Sequence, residues 1–335
     1  MKKPVSNAKY CVVLCLVVSF VLCAFAVSAW AAAARTKIII VVPHRILFTV
    51  ALPVYIAQEK GFYRENNIDV DAVFTRGGGE NVQAVVSGDA QIGLGTGTLA
   101  VISAFVKKAP IKIAGAEITG MDAFWYVQSN TPIHKIEDLA GKKVAYSRPG
   151  SSSHMAVMAI ADQIKAKGLK PAEPVSLGGI PEVYTAVRTG QADSGWSVAP
   201  FQLDLVEKGV LRVVVKGDEI AAMKEITPRV HFINNDFAAK NPDAVRGFFR
   251  AQQRALDYMF EHKEETAKIW IRRAEMKYPE GAVLRTWDYY NRAAMTLKPI
   301  RGLQATIDDG VRNKFLTQPL TQAEINSLID LSFLP

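Results

Sequence analysis

The sequence predicts an α/β protein of two lobes, each built on a mainly parallel sheet flanked by helices. Two observations carry this. From Thr36 to about Val215, short apolar runs rich in β-branched residues alternate with helical patterns, the signature of β–α–β units. A helix–Gly–strand unit also recurs: Glu80–Gly93 can be laid on Glu182–Gly195 without a gap, with identities at Glu80/Glu182, Ala84/Ala186, Val85/Val187, Gly88/Gly190, Ala90/Ala192 and Gly93/Gly195. One unit matched at so long a spacing suggests two related halves rather than a solenoid.

The first series opens with Lys37–Val42, a continuous β-branched run expected of a strand buried on both faces. Leu52–Lys60 reads as a helix stopped by Gly61. Ile68–Phe74 is a strand, Glu80–Ser87 a helix stopped by Gly88, and Ala90–Leu94 a strand. Thr98–Lys107 is a helix apolar nearly all round, and Ile111–Ala116 a strand. In the second series Lys143–Ser147, Val175–Leu177, Ala192–Trp196 and Leu211–Val215 are strands, and Ser152–Lys167 and Pro181–Thr189 are helices. From Asp236 the pattern turns to amphipathic helices over Asn241–Glu261, Glu264–Arg273, Gly281–Asn291, Gly302–Asn313 and Thr321–Leu328. Pro242 and Pro279 stand near helix starts, where proline is tolerated.

At 335 residues, with 49% hydrophobic residues and 21% charged, the chain is neither disordered nor collagen-like, nor a cysteine-stapled scaffold. Its formal charge of +8 is partly a property of one segment. Met1-Lys2-Lys3 and Lys9 precede an apolar run from Cys11 to Ala34 that ends in small residues, as a secretory signal does. Cleavage after Ala31 or Ala33 fits the small-x-small pattern; an uncleaved anchor is the other reading of so long a run. Taking residues 1–31 as the signal removes three lysines and no acid, and lowers the excess to +5. It also removes all three cysteines, Cys11, Cys15 and Cys23, and with them any disulfide, thiolate or cysteine metal site. Leu14 and Leu22 precede Cys15 and Cys23 where a lipoprotein would have a small residue, so a soluble secreted form is expected.

Two glycine- or serine-rich turns are candidate ligand sites. Gly93-Leu94-Gly95-Thr96-Gly97-Thr98 lacks the third glycine of a dinucleotide fingerprint, but Thr96, Gly97 and Thr98 at a helix start leave backbone N–H groups free for an anion. A tight turn needing glycine explains the run equally well. Arg148-Pro149-Gly150-Ser151-Ser152-Ser153-His154 holds the equivalent place in the second series. An arginine and three hydroxyls at a helix N-terminus suit a carboxylate or sulfonate, although plain capping needs only one serine. Ser beside His also invites a hydrolase reading, without the Gly-x-Ser-x-Gly turn that would support it. Gly77-Gly78-Gly79 is followed by no Gly-Lys-Ser/Thr, so it is no P-loop. The five histidines are scattered, so no metal or other cofactor is expected. Basic residues form no cluster, so nucleic acid is not expected. Phe48, Trp125 and Trp196 fall at strand ends or junctions, where open α/β sheets bind ligands; each is either a cleft aromatic or plain core.

Several segments together carry a family resemblance. Pro53–Tyr63 with Asn67-Ile68-Asp69-Val70 resembles the Glu-Lys-Gly-Phe opening of periplasmic substrate-binding proteins. Ser87–Gly93, Glu137–Ala145, and Gly190-Gln191-Ala192-Asp193 with Pro200 are similar to later segments of the same group. Together they make the chain resemble the nitrate/sulfonate/taurine family of ABC-importer binding proteins, which includes thiamine-pyrimidine-synthase-like members. The resemblance implies a type II periplasmic-binding fold with a ligand cleft between the lobes and crossovers near Asp122–Gln128 and Arg229–Asn234. It implies lobe 1 at 36–125, lobe 2 at 126–230, and a return of 231–335 to lobe 1. Family ligand sites map onto His44–Thr49, which contains Arg45, Phe48 and Thr49, onto Thr96–Thr98 and Arg148–His154, and onto Trp196. The expected role is a monomeric, periplasmic, non-enzymatic receptor delivering a small organic sulfonate or carboxylate, aromatic ones included, to ABC permease subunits by hinge closure. A sensor subunit of a signalling system and a synthase-like enzyme are the alternatives; the synthase's cysteine-rich iron motif, also implied by the resemblance, is missing from the mature sequence.

Export is directly testable. The intact mass of protein recovered from the periplasm of a Gram-negative host should correspond to a chain beginning at Ala32 or Ala34. A full-length mass in the membrane fraction would establish an anchor instead.

Overall fold

The computed structural model describes residues 35–335; the expected export signal, its cysteines and its cleavage site lie outside them. Ten strands are seen among these residues: β1 (Thr36–Val42), β2 (Ile68–Phe74), β3 (Ile92–Gly97), β4 (Ile111–Ile118), β5 (Phe124–Gln128), β6 (Lys143–Tyr146), β7 (Glu173–Ser176), β8 (Gly195–Ser197), β9 (Leu211–Lys216) and β10 (Arg229–Asn234). No helix of the described residues is long and apolar enough to cross a membrane.

The first sheet has the order β2-β1-β3-β10-β4. β1 and β3 are parallel, with Ile40 opposite Ile92. β10 arrives from 111 residues further along the chain than β4 and runs antiparallel to both neighbours. The second half holds a three-stranded sheet, β8-β5-β9, antiparallel throughout, and a parallel pair, β6 with β7. A parallel bridge between Val144 and Ser194 joins them. The expectation of two mainly parallel sheets holds: β1, β3 and β4 run one way in the first half, and β6, β7, β8 and β9 in the second, with only the crossover strands β10 and β5 reversed. Each crossover strand enters its sheet against the local direction, because it comes from the other half of the chain rather than through a right-handed helical crossover.

Helices follow the sequence closely where the pattern is long. Pro242–Glu261 and Lys263–Ala274 pack on Ala51–Glu59, and Leu303–Arg312 packs on Thr98–Val106. The span expected as one helix over Gly281–Asn291 splits into Glu280–Leu284 and a 3₁₀ stretch, Arg285–Tyr289. Its aromatics explain the tightening: Trp287 and Tyr290 both pack on Phe48, with ring centroids 4.9 and 4.5 Å away. A spacing of three repeats the same direction on a 3₁₀ turn, whereas on an α-helix it falls about 60° short of it.

The expected Ala90–Leu94 strand begins later and runs through the glycines, from Ile92 to Gly97. Glycine there is a matter of space. A Cβ on Gly93 would stand 2.1 Å from the Phe232 ring, and one on Gly97 would stand 2.7 Å from the Gly150 carbonyl oxygen. The repeat unit does the same in the second half. Gly195 lies opposite Tyr126 on β5, and a Cβ there would come within 2.8 Å of that ring. Thus each crossover strand lays an aromatic ring over a glycine of its neighbour.

Nearby, His231 on β10 accepts the Gly95 N–H at Nδ1, at 3.3 Å. Burial, with the Arg229 charge adding to it, pushes its imidazole down to about 3, so it is neutral and free to accept.

Gly93→Ala should destabilise the fold by about 1–3 kcal/mol, the usual range for overpacking. Phe232→Leu on top of it should recover part of that loss. Urea denaturation of the single and double variants measures both values.

Candidate functional site

Between the two sheets lies a cavity of about 110 Å³. Four helices begin at its wall. Gly77, Gly78 and Gly79 open the Gly78–Ser87 helix, Gly97 and Ala100 belong to the start of Thr98–Val106, Ser151–Ser153 open Ser152–Ala166, and Gly179 and Ile180 open Ile180–Arg188. The first N–H groups of any helix have no intrahelical acceptor, and the backbone dipoles add positive potential there. Four such ends beside one space favour an anion there, but the expectation of free N–H groups at Thr96–Thr98 is corrected in part, because the Thr98 N–H donates to the Pro228 carbonyl at 3.0 Å.

The serine cluster divides its work. Ser151 caps its helix by accepting the His154 N–H at 3.1 Å. Ser153 accepts the Ser147 N–H at 3.0 Å and lies 3.0 and 3.1 Å from the Ser147 and Ser151 hydroxyls. Ser152 faces Arg229 at 3.5 Å. Arg148 lines the mouth, exposed, and its charge helps hold the Glu80 carboxyl below the usual range, after the larger effect of the Arg76 N–H bonded to it. Trp196 and His44 complete the wall. The His44 imidazole is held low by burial and by the adjacent Arg45 charge, so it too is neutral, and its Nδ1 accepts the Ile46 N–H.

At the floor is a buried ion cluster. Arg229 Nε donates to both oxygens of Glu117 at 2.9 Å, and its terminal nitrogen donates to Asp122 Oδ2 at 2.8 Å. The side chains of Arg229, Glu117 and Asp122 are only 12%, 1% and 5% exposed. Thr49 also donates to Glu117, so both carboxyl oxygens accept hydrogen bonds. Burial pushes the Glu117 carboxyl up, with the Arg229 charge opposing.

Of the residues expected at the site, Gly97, Arg148, Ser151, Ser152, Ser153 and Trp196 line the cavity. The others stand elsewhere. Phe48 is fully buried in an aromatic cluster with Phe260, Trp270, Trp287 and Tyr290. Trp125 is fully buried and donates to the Ala145 carbonyl at 3.3 Å. Both are core residues, Phe48 in the cluster that includes Trp270 and Trp287 and Trp125 in a second cluster with Val144 and Val215. Arg45 is turned to Glu275 at 3.1 Å. Thr49 serves Glu117, Thr96 accepts from Asn81 at 3.2 Å, and Thr98 donates to the Thr227 carbonyl at 2.6 Å. His154 stacks on Tyr146 at 4.1 Å and accepts the Gly150 N–H at Nδ1. It lines a different, more open hollow of about 510 Å³, whose Asp162, Arg312 and Asp309 are already paired with one another.

Sequence reading missed Arg229 and Asp122 as cavity residues, although both lie in segments marked as crossovers. Lone charges at the ends of strands were their only signal. Gly77–Gly79, dismissed as a P-loop, are a helix start at the cavity. Among the described residues no cluster of His, Cys, Asp or Glu could hold a metal ion.

This architecture is that of the periplasmic binding proteins. The alkanesulfonate-binding protein SsuA from Xanthomonas axonopodis pv. citri, solved bound to MOPS, superposes with a TM-score of 0.70 at 18% identity, covering 87% of this chain and 97% of that one. The aliphatic sulphonate binding protein SsuA of Escherichia coli gives 0.71 at 20%, over 89% and 92%. The chain belongs to the family described as NMT1/THI5 like, whose profile matches residues 49–266. The taurine-binding periplasmic protein of E. coli K12 is 30% identical over 207 residues, 61% of this chain and 62% of the relative. The match thus spans less than two thirds of that protein. A 4-amino-5-hydroxymethyl-2-methylpyrimidine phosphate synthase of Candida albicans is 23% identical over 64% of this chain and 65% of its own length.

Replacing Arg229 by Met leaves two buried carboxylates without their partner. Stability should fall by about 3–5 kcal/mol, and adding Glu117→Gln should restore part of it. Equilibrium unfolding of the two variants checks this.

Proposed function

We propose that the chain is an extracytoplasmic receptor that binds a small organic sulfonate or carboxylate in this cavity and presents it to an ABC importer. The convergence of four helix N-termini with Arg148 on one small space supports this reading above all. Relatives named for binding taurine and alkanesulfonates support the same ligand class. With Phe48 and Trp125 in the core, the earlier case for an aromatic ligand rests on Trp196 alone.

In this reading residues 36–125 and 231–335 form one lobe and 126–230 the other. The ligand bridges helix starts of both lobes, so it favours the closed state, which the permease recognises. The protein acts as a monomer in the periplasm and leaves its ligand chemically unchanged. The synthase relatives favour a second reading, an enzyme on the same fold.

Thermal unfolding with a panel of sulfonates, carboxylates and pyrimidines separates the two. A receptor shows ligand-dependent stabilisation and returns the ligand intact by mass spectrometry. Arg148→Ala should weaken sulfonate affinity by about tenfold, the value of one charge-assisted hydrogen bond. No shift with any anion refutes the receptor reading, and consumption of the ligand establishes the enzyme.

A further inference from the structure

An open groove of about 820 Å³ runs between the Gly78–Ser87 and Thr98–Val106 helices. Val82, Gln83 and Val86 line it from the first, and Ala100, Ser103 and Ala104 from the second. Residues three or four apart lie on one side of a helix, so each helix presents one face along the groove. Both helices start at the cavity, and Gly79, Ala100 and Pro149 line cavity and groove alike. Gly150 closes this near end from the second half: a Cβ on it would stand 3.5 Å from the Ala100 Cα. From Ala100 to Lys107 the groove extends about 10 Å, two helical turns.

The far end is basic. Lys107, Lys108 and Lys314 stand there, all exposed, and no acid lines the groove. None of the three pairs with an acid among the described residues. The Lys108 charge reaches Glu324, but that carboxylate is occupied by the Thr321 N–H and hydroxyl at 2.8 and 2.9 Å. The 510 Å³ hollow differs in this, since its Arg312 is held by Asp162 and Asp309. Helix C-termini favour lysine, and these lysines do follow the last turns of Thr98–Val106 and Leu303–Arg312. That role does not require the three charges to meet over one groove. Lys108 and Lys314 also hold left-handed backbone, φ 67° and 62°, which glycine adopts without strain, so the turns themselves do not call for lysine.

We propose that this groove docks an acidic, apolar-faced helical segment of the importer's membrane subunit. The apolar stripe of the segment lies on Val82, Val86, Ala100 and Ala104, and its carboxylates meet the three lysines. Its other end reaches the cavity rim, where Pro149 and Gly150 complete the groove, so one segment touches both halves of the chain. This inference rests on the receptor reading and adds the surface through which the partner is met.

Photo-crosslinking of the full chain to membranes of the organism that carries it tests the proposal. The exposed Gln83 is replaced by p-benzoylphenylalanine, with the exposed Leu169, outside the groove, replaced in a control chain. Gln83→p-benzoylphenylalanine should capture a membrane protein through a segment with carboxylates beside an apolar stripe, and the control should not. Lys107→Glu, Lys108→Glu and Lys314→Glu together should lower the yield about tenfold, by turning attraction into repulsion. Lysines introduced at the mapped carboxylates should restore it, which also shows that the reversed chain is folded. The same reversal at Lys142, Lys170 and Lys263, exposed elsewhere, should leave the yield unchanged. Capture of a lipid, a soluble protein, a second copy or a segment without carboxylates overturns the docking site. So does a yield indifferent to the three lysines, a loss that exchanged charges do not restore, or no capture at all. Each of these leaves ligand binding standing; the receptor reading itself fails only if no anion shifts thermal unfolding.

Discussion

The Arg229 guanidinium is the tie on which the cavity depends. It joins Glu117 on β4, Asp122 on the approach to β5, and Ser152 at the start of a second-half helix. Burying three ionisable groups is expensive unless each is paired, so these three specify one relative placement of the strands that carry them. Removing Arg229 would leave charge with no solvent to answer it, whereas shifting a strand would break two ion pairs together. The cavity sits directly on this cluster, so the interaction that fixes the strands also sets the charge of the floor.

The wall is built on a different principle. Its positive character comes mostly from backbone: four helix starts, with glycines and small hydroxyls where side chains would block access. Such a wall tolerates changes in side-chain identity as long as small residues remain. The polar side chains that line the space besides are few: His44, Arg76, Asp122, Arg148, Trp196, Arg229 and the serines. This separation explains how one scaffold accommodates relatives named for different ligands, taurine and alkanesulfonates among them, without a change of fold.

Most of the architecture was legible in the sequence because it rests on periodicity. β2 begins and ends where the alternation of Ile68–Phe74 does, and the Pro242–Glu261 helix starts at its proline. The helix starts carrying Gly97 and Ser151–Ser153 were legible for the same reason, since small residues at a strand–helix junction have a physical purpose. What was not legible depends on distant partners. Nothing local in Phe48 reveals that Trp270, Trp287 and Tyr290 will surround it. Nothing local in Arg229 reveals Glu117, 112 residues away. The glycines of β3 misled for the same reason: their demand for space is set by Phe232 on a strand 139 residues later.

The rings laid over Gly93 and Gly195 bear on motion as well as packing. Each acts as a detent on one of the two strands that cross between the halves. Sliding β10 or β5 by a residue would lift its aromatic ring off the glycine it covers, and would turn every side chain on that strand to the opposite face. The crossing strands can therefore bend but not slip. The peptides just outside them, Thr119–Ala123 and Thr227–Pro228, hold Asp122 and lead into Arg229. The ends of both crossing strands and the charged floor are thus the same few residues, and the ion pairs that make the floor also tie those ends together.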